Sequence, residues 1–134
     1  MLFICFEGKM SCCLHFGIIQ NIEQKKNYCP NPNDHIDFKD VLKLYNCISV
    51  PDDIVNDWIP LTTNMPTFLF SLDNEYKGLD HYAVTLIPPN SVKMFLETVS
   101  FYQKENPGEK TIKELISLLK IAIENNKYII CFGI

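Results

Sequence analysis

From Tyr82 to Ile87 the chain is almost continuously apolar and partly β-branched, with no glycine, proline or charge, as a strand buried on both faces requires. Pro88 and Pro89 end it, because neither ring nitrogen can donate to a ladder. Beyond them Val92, Phe95, Leu96, Val99 and Tyr102 recur at three-and-four spacing and predict a helix over residues 91 to 105, with Asn90 or Ser91 placed to cap it. Asn106, Pro107 and Gly108 then make a turn. The next segment, Thr111 to Glu124, is the clearest helix in the chain. Ile112, Leu115, Ile116, Leu119, Ala122 and Ile123 share one face, and Lys113, Glu114, Ser117 and Lys120 lie largely on the other. So short a connection predicts two helices packed antiparallel. Tyr128 to Ile134 is again strand-like, and so apolar a terminus belongs inside a sheet.

Upstream the periodicity is weaker. Leu2 to Phe6 and Cys12 to Ile19 read as strands joined around Glu7, Gly8 and Lys9, which predicts a hairpin. Asn21 to Asp34 is polar and proline-broken, hence loop. Phe38, Val41, Leu42 and Tyr45 predict a short helix between Asp37 and Asn46, with Asp34 or Asp37 as its cap. A second short helix is predicted from Asp52 to Trp58, after Pro51 and before Pro60. Thr67 to Leu72 has strand composition and could pair with Tyr82 to Ile87 around the loop from Asp73 to Asp80. The sum is one α+β domain over residues 1 to 134: a mixed or antiparallel sheet of about five strands with the two C-terminal helices packed on one face.

The 134 residues, 47% of them apolar, are enough for one domain with a real core. No apolar run is long enough to span a bilayer. The N-terminus lacks a basic region and a small-residue cleavage site, which predicts a strand there and a cytoplasmic protein. Whether Met1 or Met10 is the true start stays open. Six cysteines could in principle form disulfides, but most lie in or beside apolar runs, and reduced thiols are expected.

Charge changes the picture more than length does. The net charge is −4, and every aspartate lies between Asp34 and Asp80, where nine acids face three lysines. The chain has lysines but no arginine. Arginine is the favoured residue for bidentate phosphate contacts, so this balance argues against nucleic acid and for a basic protein partner.

Several constellations could carry chemistry. Cys12, His15, Cys29 and His35 are acceptable zinc ligands, but Cys12 and His15 stand three apart in a strand and therefore on opposite faces. No metal or cofactor is expected. A cysteine nucleophile with His15, His35 or His81 as base has no local signature, and neither a phosphate-cradling loop nor a serine elbow is present. Asp52, Asp53 and Asp57 fit a helix start with a solvated face better than an acid–base site. Trp58 beside them reads either as a core residue or as an interface anchor in an acidic rim.

Two segments, Tyr82-Ala-Val-Thr-Leu-Ile-Pro-Pro-Asn-Ser-Val with its helix and the terminal Cys131-Phe-Gly-Ile, resemble the small acidic immunity proteins of bacterial contact-dependent inhibition and related polymorphic toxin systems. The resemblance covers residues 79 to 134 and lies in scaffold motifs. It implies a protein without catalytic activity that binds and neutralises a cognate toxin domain, often a basic nuclease. No binding residue is carried by it. From charge alone the toxin-binding candidates are Asp52, Asp53, Asp57, Trp58, Asp73, Glu75 and Asp80. The alternative is a small enzyme with a thiol or zinc site drawn from its Cys and His residues.

Overall fold

The computed structural model describes residues 4–6, 9–11, 13–29 and 38–133, with side chains described at 13–29 and 38–133. Eight strands and four α-helices follow in chain order: β1 Ile4–Phe6, β2 Lys9–Ser11, β3 Cys13–Ile19, α1 Phe38–Leu44, β4 Ile48–Pro51, α2 Asp52–Val55, β5 Pro66–Leu69, β6 Glu75–Lys77, β7 Val84–Ile87, α3 Pro89–Glu105, α4 Lys110–Glu124 and β8 Tyr128–Phe132. A 3-10 turn, Ile59–Thr62, lies between α2 and β5. Six strands form one sheet in the order β4-β3-β8-β7-β5-β6, and every neighbouring pair is antiparallel. This is the expected α+β class, with one strand more than about five.

Strand alternation divides the core in two. Leu14, Phe16 and Ile18 of β3, Ile87 of β7, and Ile129 and Cys131 of β8 face α3 and α4, meeting Val92, Phe95, Val99, Ile112, Leu115 and Leu119. The two C-terminal helices therefore pack on one face, as their apolar stripes require. Ile19, Val84, Leu86, Ile130 and Phe132 point the other way, under Tyr28 and the α1 residues Phe38, Val41 and Leu42. Gly17 makes the approach of the α1 end possible. A Cβ there would stand 2.7 Å from both Cβ and the carbonyl oxygen of Tyr45, while the Ile18 N–H donates to that oxygen at 3.2 Å.

Three local expectations are corrected. The N-terminal hairpin is not formed with β3: β1 pairs with β2 in a separate ladder, Ile4 opposite Ser11, and β3 belongs to the main sheet. The α3 cap is neither Asn90 nor Ser91. Pro88 holds that position with Pro89 as the first helical residue, and the Ser91 hydroxyl donates instead to the Pro66 carbonyl at 2.6 Å. The helix expected over Asp52 to Trp58 stops at Val55, and Pro60 lies inside the 3-10 turn that follows. The α1 caps, Asp34 and Asp37, lie outside the described residues. β5 and β7 do pair, and the segment between them adds β6 on the outer edge of β5.

Candidate functional site

The strand directions collect the acidic residues at one end of the sheet. β4, β8 and β5 finish at that end, while β3, β7 and β6 begin there, as the pairings Cys13 with Pro51, His15 with Phe132, Val84 with Phe132, Leu69 with Thr85 and Phe68 with Glu75 establish. Asp52, Asp53 and Asp57 follow β4, Asp73 and Glu75 lie in and after the β5–β6 turn, and Asp80 leads into β7. The α3–α4 turn comes back to the same end: the carboxylates of Asp57, Glu109 and Asp53 act with burial to push the Tyr102 hydroxyl above its usual range, burial being the larger cause. All six predicted acids thus share one rim. With strands about 4.8 Å apart, it runs about 24 Å from β4 to β6.

Asp53, Asp57, Asp73 and Glu75 are exposed, and Asp52 and Asp80 are half-buried. Among the described residues none of the six forms an ion pair. Their hydrogen bonds are local. Asp53 accepts from the Ile54 N–H at 3.0 Å, and Asp80 accepts from the Tyr82 N–H at 2.7 Å and the Tyr76 hydroxyl at 3.4 Å. The Asp80 loop is clasped to α2 by a 2.5 Å hydrogen bond between His81 Nε2 and Asn56 Oδ1. It lies so close on the end of β8 that a Cβ at Gly133 would meet the Asp80 and His81 carbonyl oxygens at 2.5 Å. The two halves of the rim are joined through this loop.

Trp58 is the correction in the set. It is fully buried, edge-on to Phe95 at 5.7 Å and to Tyr102 at 5.8 Å, and it supports the rim from beneath rather than offering an exposed anchor. The exposed aromatics at the rim are Tyr82, 74% accessible, and Tyr76. Tyr82 was expected inside the strand because it opens the apolar run, yet β7 starts at Val84; the turn-forming Asp80 two residues earlier was the available signal.

The thiol and imidazole candidates among the described residues do not converge on a metal site. Cys12 and His35 lie outside the described residues, and among the described residues no group of three His, Cys, Asp or Glu side chains is arranged to hold a metal. Burial pushes the Cys47 thiol up to about 12 and the Cys131 thiol well above its usual range, which holds both in the unreactive protonated form. His15 is buried under α1, 5.6 Å from the Phe38 ring; its Nδ1 lies 2.6 Å from Ser49 Oγ, and its Nε2 has no hydrogen-bond partner among the described residues.

Burial lowers the His15 pKa from 6.5 to about 4. A histidine depressed in the folded state stabilises the fold fully above its unfolded value, and that stability is lost as pH falls from 6.5 towards 4. The loss is expected to be about 3 kcal/mol. Urea unfolding of wild type and His15→Leu between pH 7 and pH 4 should show the stability of wild type relative to the variant falling by roughly that amount. A difference independent of pH would mean that the native state accepts the proton freely.

No family model, curated protein or solved structure matches this chain. Among the described residues no helix is long and apolar enough to cross a membrane.

Proposed function

We propose that this chain is a cytoplasmic immunity protein that binds a basic toxin domain through the acidic rim and blocks it by direct contact. The observation that carries this reading is the gathering of Asp52, Asp53, Asp57, Asp73, Glu75 and Asp80 at one end of the sheet without ion-pair partners among the described residues. Carboxylates without ion-pair partners among the described residues, gathered on one end, favour a negative field that draws in a cationic partner and orients it before contact. The raised Cys47 and Cys131 thiols are poor nucleophiles, which speaks against thiol catalysis at those two positions. The resemblance of residues 79 to 134 to immunity proteins points the same way.

The test is co-expression of the tagged protein with a candidate toxin domain, the product of the gene immediately upstream. A stable one-to-one complex and protection of the cells are the expected results. Failure of the protein either to bind that domain or to protect against it contradicts the proposal.

Within such a complex, changing the six acids to their amides should lower the association rate at least tenfold at low salt, while changing dissociation much less. Stopped-flow mixing measures both rates. An unchanged association rate would remove the rim from the interface.

A further inference from the structure

The opposite end of the sheet has a different chemistry. There the residues after β3, the β7–α3 junction and the α4–β8 turn surround an open cleft of about 590 Å³. Four carboxamide side chains line it, from Gln20, Asn21, Asn90 and Asn126. All four residues are exposed, and none of these side chains makes a hydrogen bond among the described residues. Among the described residues no carboxylate borders the cleft. The single cation, Lys127, donates from Nζ to the Gln20 carbonyl at 2.6 Å and so ties the start of β8 to the end of β3. Pro88, Pro89 and the half-buried Tyr128 add flat apolar faces.

We propose that this cleft binds a neutral, hydroxyl-rich ligand, a short oligosaccharide. A carboxamide offers a donor and an acceptor side by side without charge, which matches a hydroxyl that both gives and receives a hydrogen bond. Four such groups around one opening can hold several hydroxyls at once, and proline and tyrosine faces suit the C–H face of a sugar ring. Lys127 spends one of its three N–H donors on the Gln20 carbonyl and can offer the others to a hydroxyl, and among the described residues no carboxylate is present to chelate a cation. The volume falls in the ordinary range for a small-ligand site. The site is independent of the acidic rim and stands or falls apart from the immunity reading.

The test is ¹H–¹⁵N NMR of the full chain titrated separately with maltotriose, cellotriose and the trimer of N-acetylglucosamine, each to about 10 mM, since weak sites have millimolar dissociation constants. The side-chain NH2 signals of Gln20, Asn21, Asn90 and Asn126 are expected to shift saturably with at least one of them. An Asn21→Ala/Asn90→Ala variant should raise that dissociation constant at least tenfold with its unfolding temperature unchanged; Asn126 is left in place because its φ of 54° ties it to the turn. No saturable shift with any of the three sugars overturns the proposal, as does a shift that the double variant retains. Shifts produced by a penta-alanine peptide and not by the sugars would also overturn it.

Discussion

Deleting the chain from Tyr128 onward abolishes cooperative folding. β8 is the hinge of the sheet, bonded to β3 on one side and β7 on the other, so its loss leaves β4-β3 and β7-β5-β6 as separate pieces. Ile129, Ile130, Cys131 and Phe132 are each at most 2% accessible. At about 1.5 to 3 kcal/mol for each fully buried large apolar side chain, the burial of Ile129, Ile130 and Phe132 alone contributes roughly 4.5 to 9 kcal/mol. The whole stability of a domain of this kind is only about 5 to 15 kcal/mol. Circular dichroism during heating should therefore show no sigmoidal transition in the truncated protein. A cooperative melt within a few degrees of the full chain would mean that β8 is dispensable and that its central position in the sheet is wrong.

Trp58→Ala is expected to cost about 4 kcal/mol, the middle of the range for emptying a large aromatic site in a packed core. The indole fills the junction between Phe16 of the sheet and Phe95 and Tyr102 of α3, and no accessible surface remains on it. For a domain of this size that loss lowers the melting temperature by roughly 15 °C. Trp58→Phe should cost less, because it keeps an aromatic ring and removes an indole N–H that has no hydrogen-bond partner among the described residues. Tyr82→Ala, at a residue 74% accessible, should stay within about 0.5 kcal/mol of wild type. Differential scanning calorimetry separates the three variants, and a Trp58→Ala melting point close to that of Tyr82→Ala would place the tryptophan outside the core.

The elements most legible in the sequence are those whose burial writes a period into the chain. α4 buries Ile112, Leu115, Ile116, Leu119 and Ala122 on one stripe, and its expected and observed bounds differ by one residue at the start. β7 and β8 lie in the interior of the sheet and read as continuous apolar runs. The edges carry no such record. β4 is four residues long and mostly exposed or half-buried, β6 is three residues and exposed throughout, and neither was expected. The start of α3 has a local signal in Pro89, since proline favours the first helical position, while the Ser91 hydroxyl is drawn to a tertiary partner, the Pro66 carbonyl.

The candidate site divides along the same line. That the middle of the chain is acidic follows from composition, but that its acids meet depends on strand direction. Asp52 and Glu75 lie near opposite edges of the sheet and share a rim only because β4 and β5 finish at the same end and β6 starts there. Trp58 shows the limit of adjacency in sequence: it stands next to Asp57, yet their side chains go to core and solvent respectively.

The most direct test of the acidic rim as the binding surface is the salt dependence of association with the basic toxin domain proposed above as the partner. Between about 20 mM and 500 mM salt, where screening shortens the reach of exposed charges from roughly 20 Å to a few ångströms, the wild-type association rate is predicted to fall at least tenfold. The variant carrying amides at Asp52, Asp53, Asp57, Asp73, Glu75 and Asp80 is predicted to start slower and stay nearly flat. Equal rates and equal salt slopes for the two proteins would contradict the account and move the interface away from this end of the sheet.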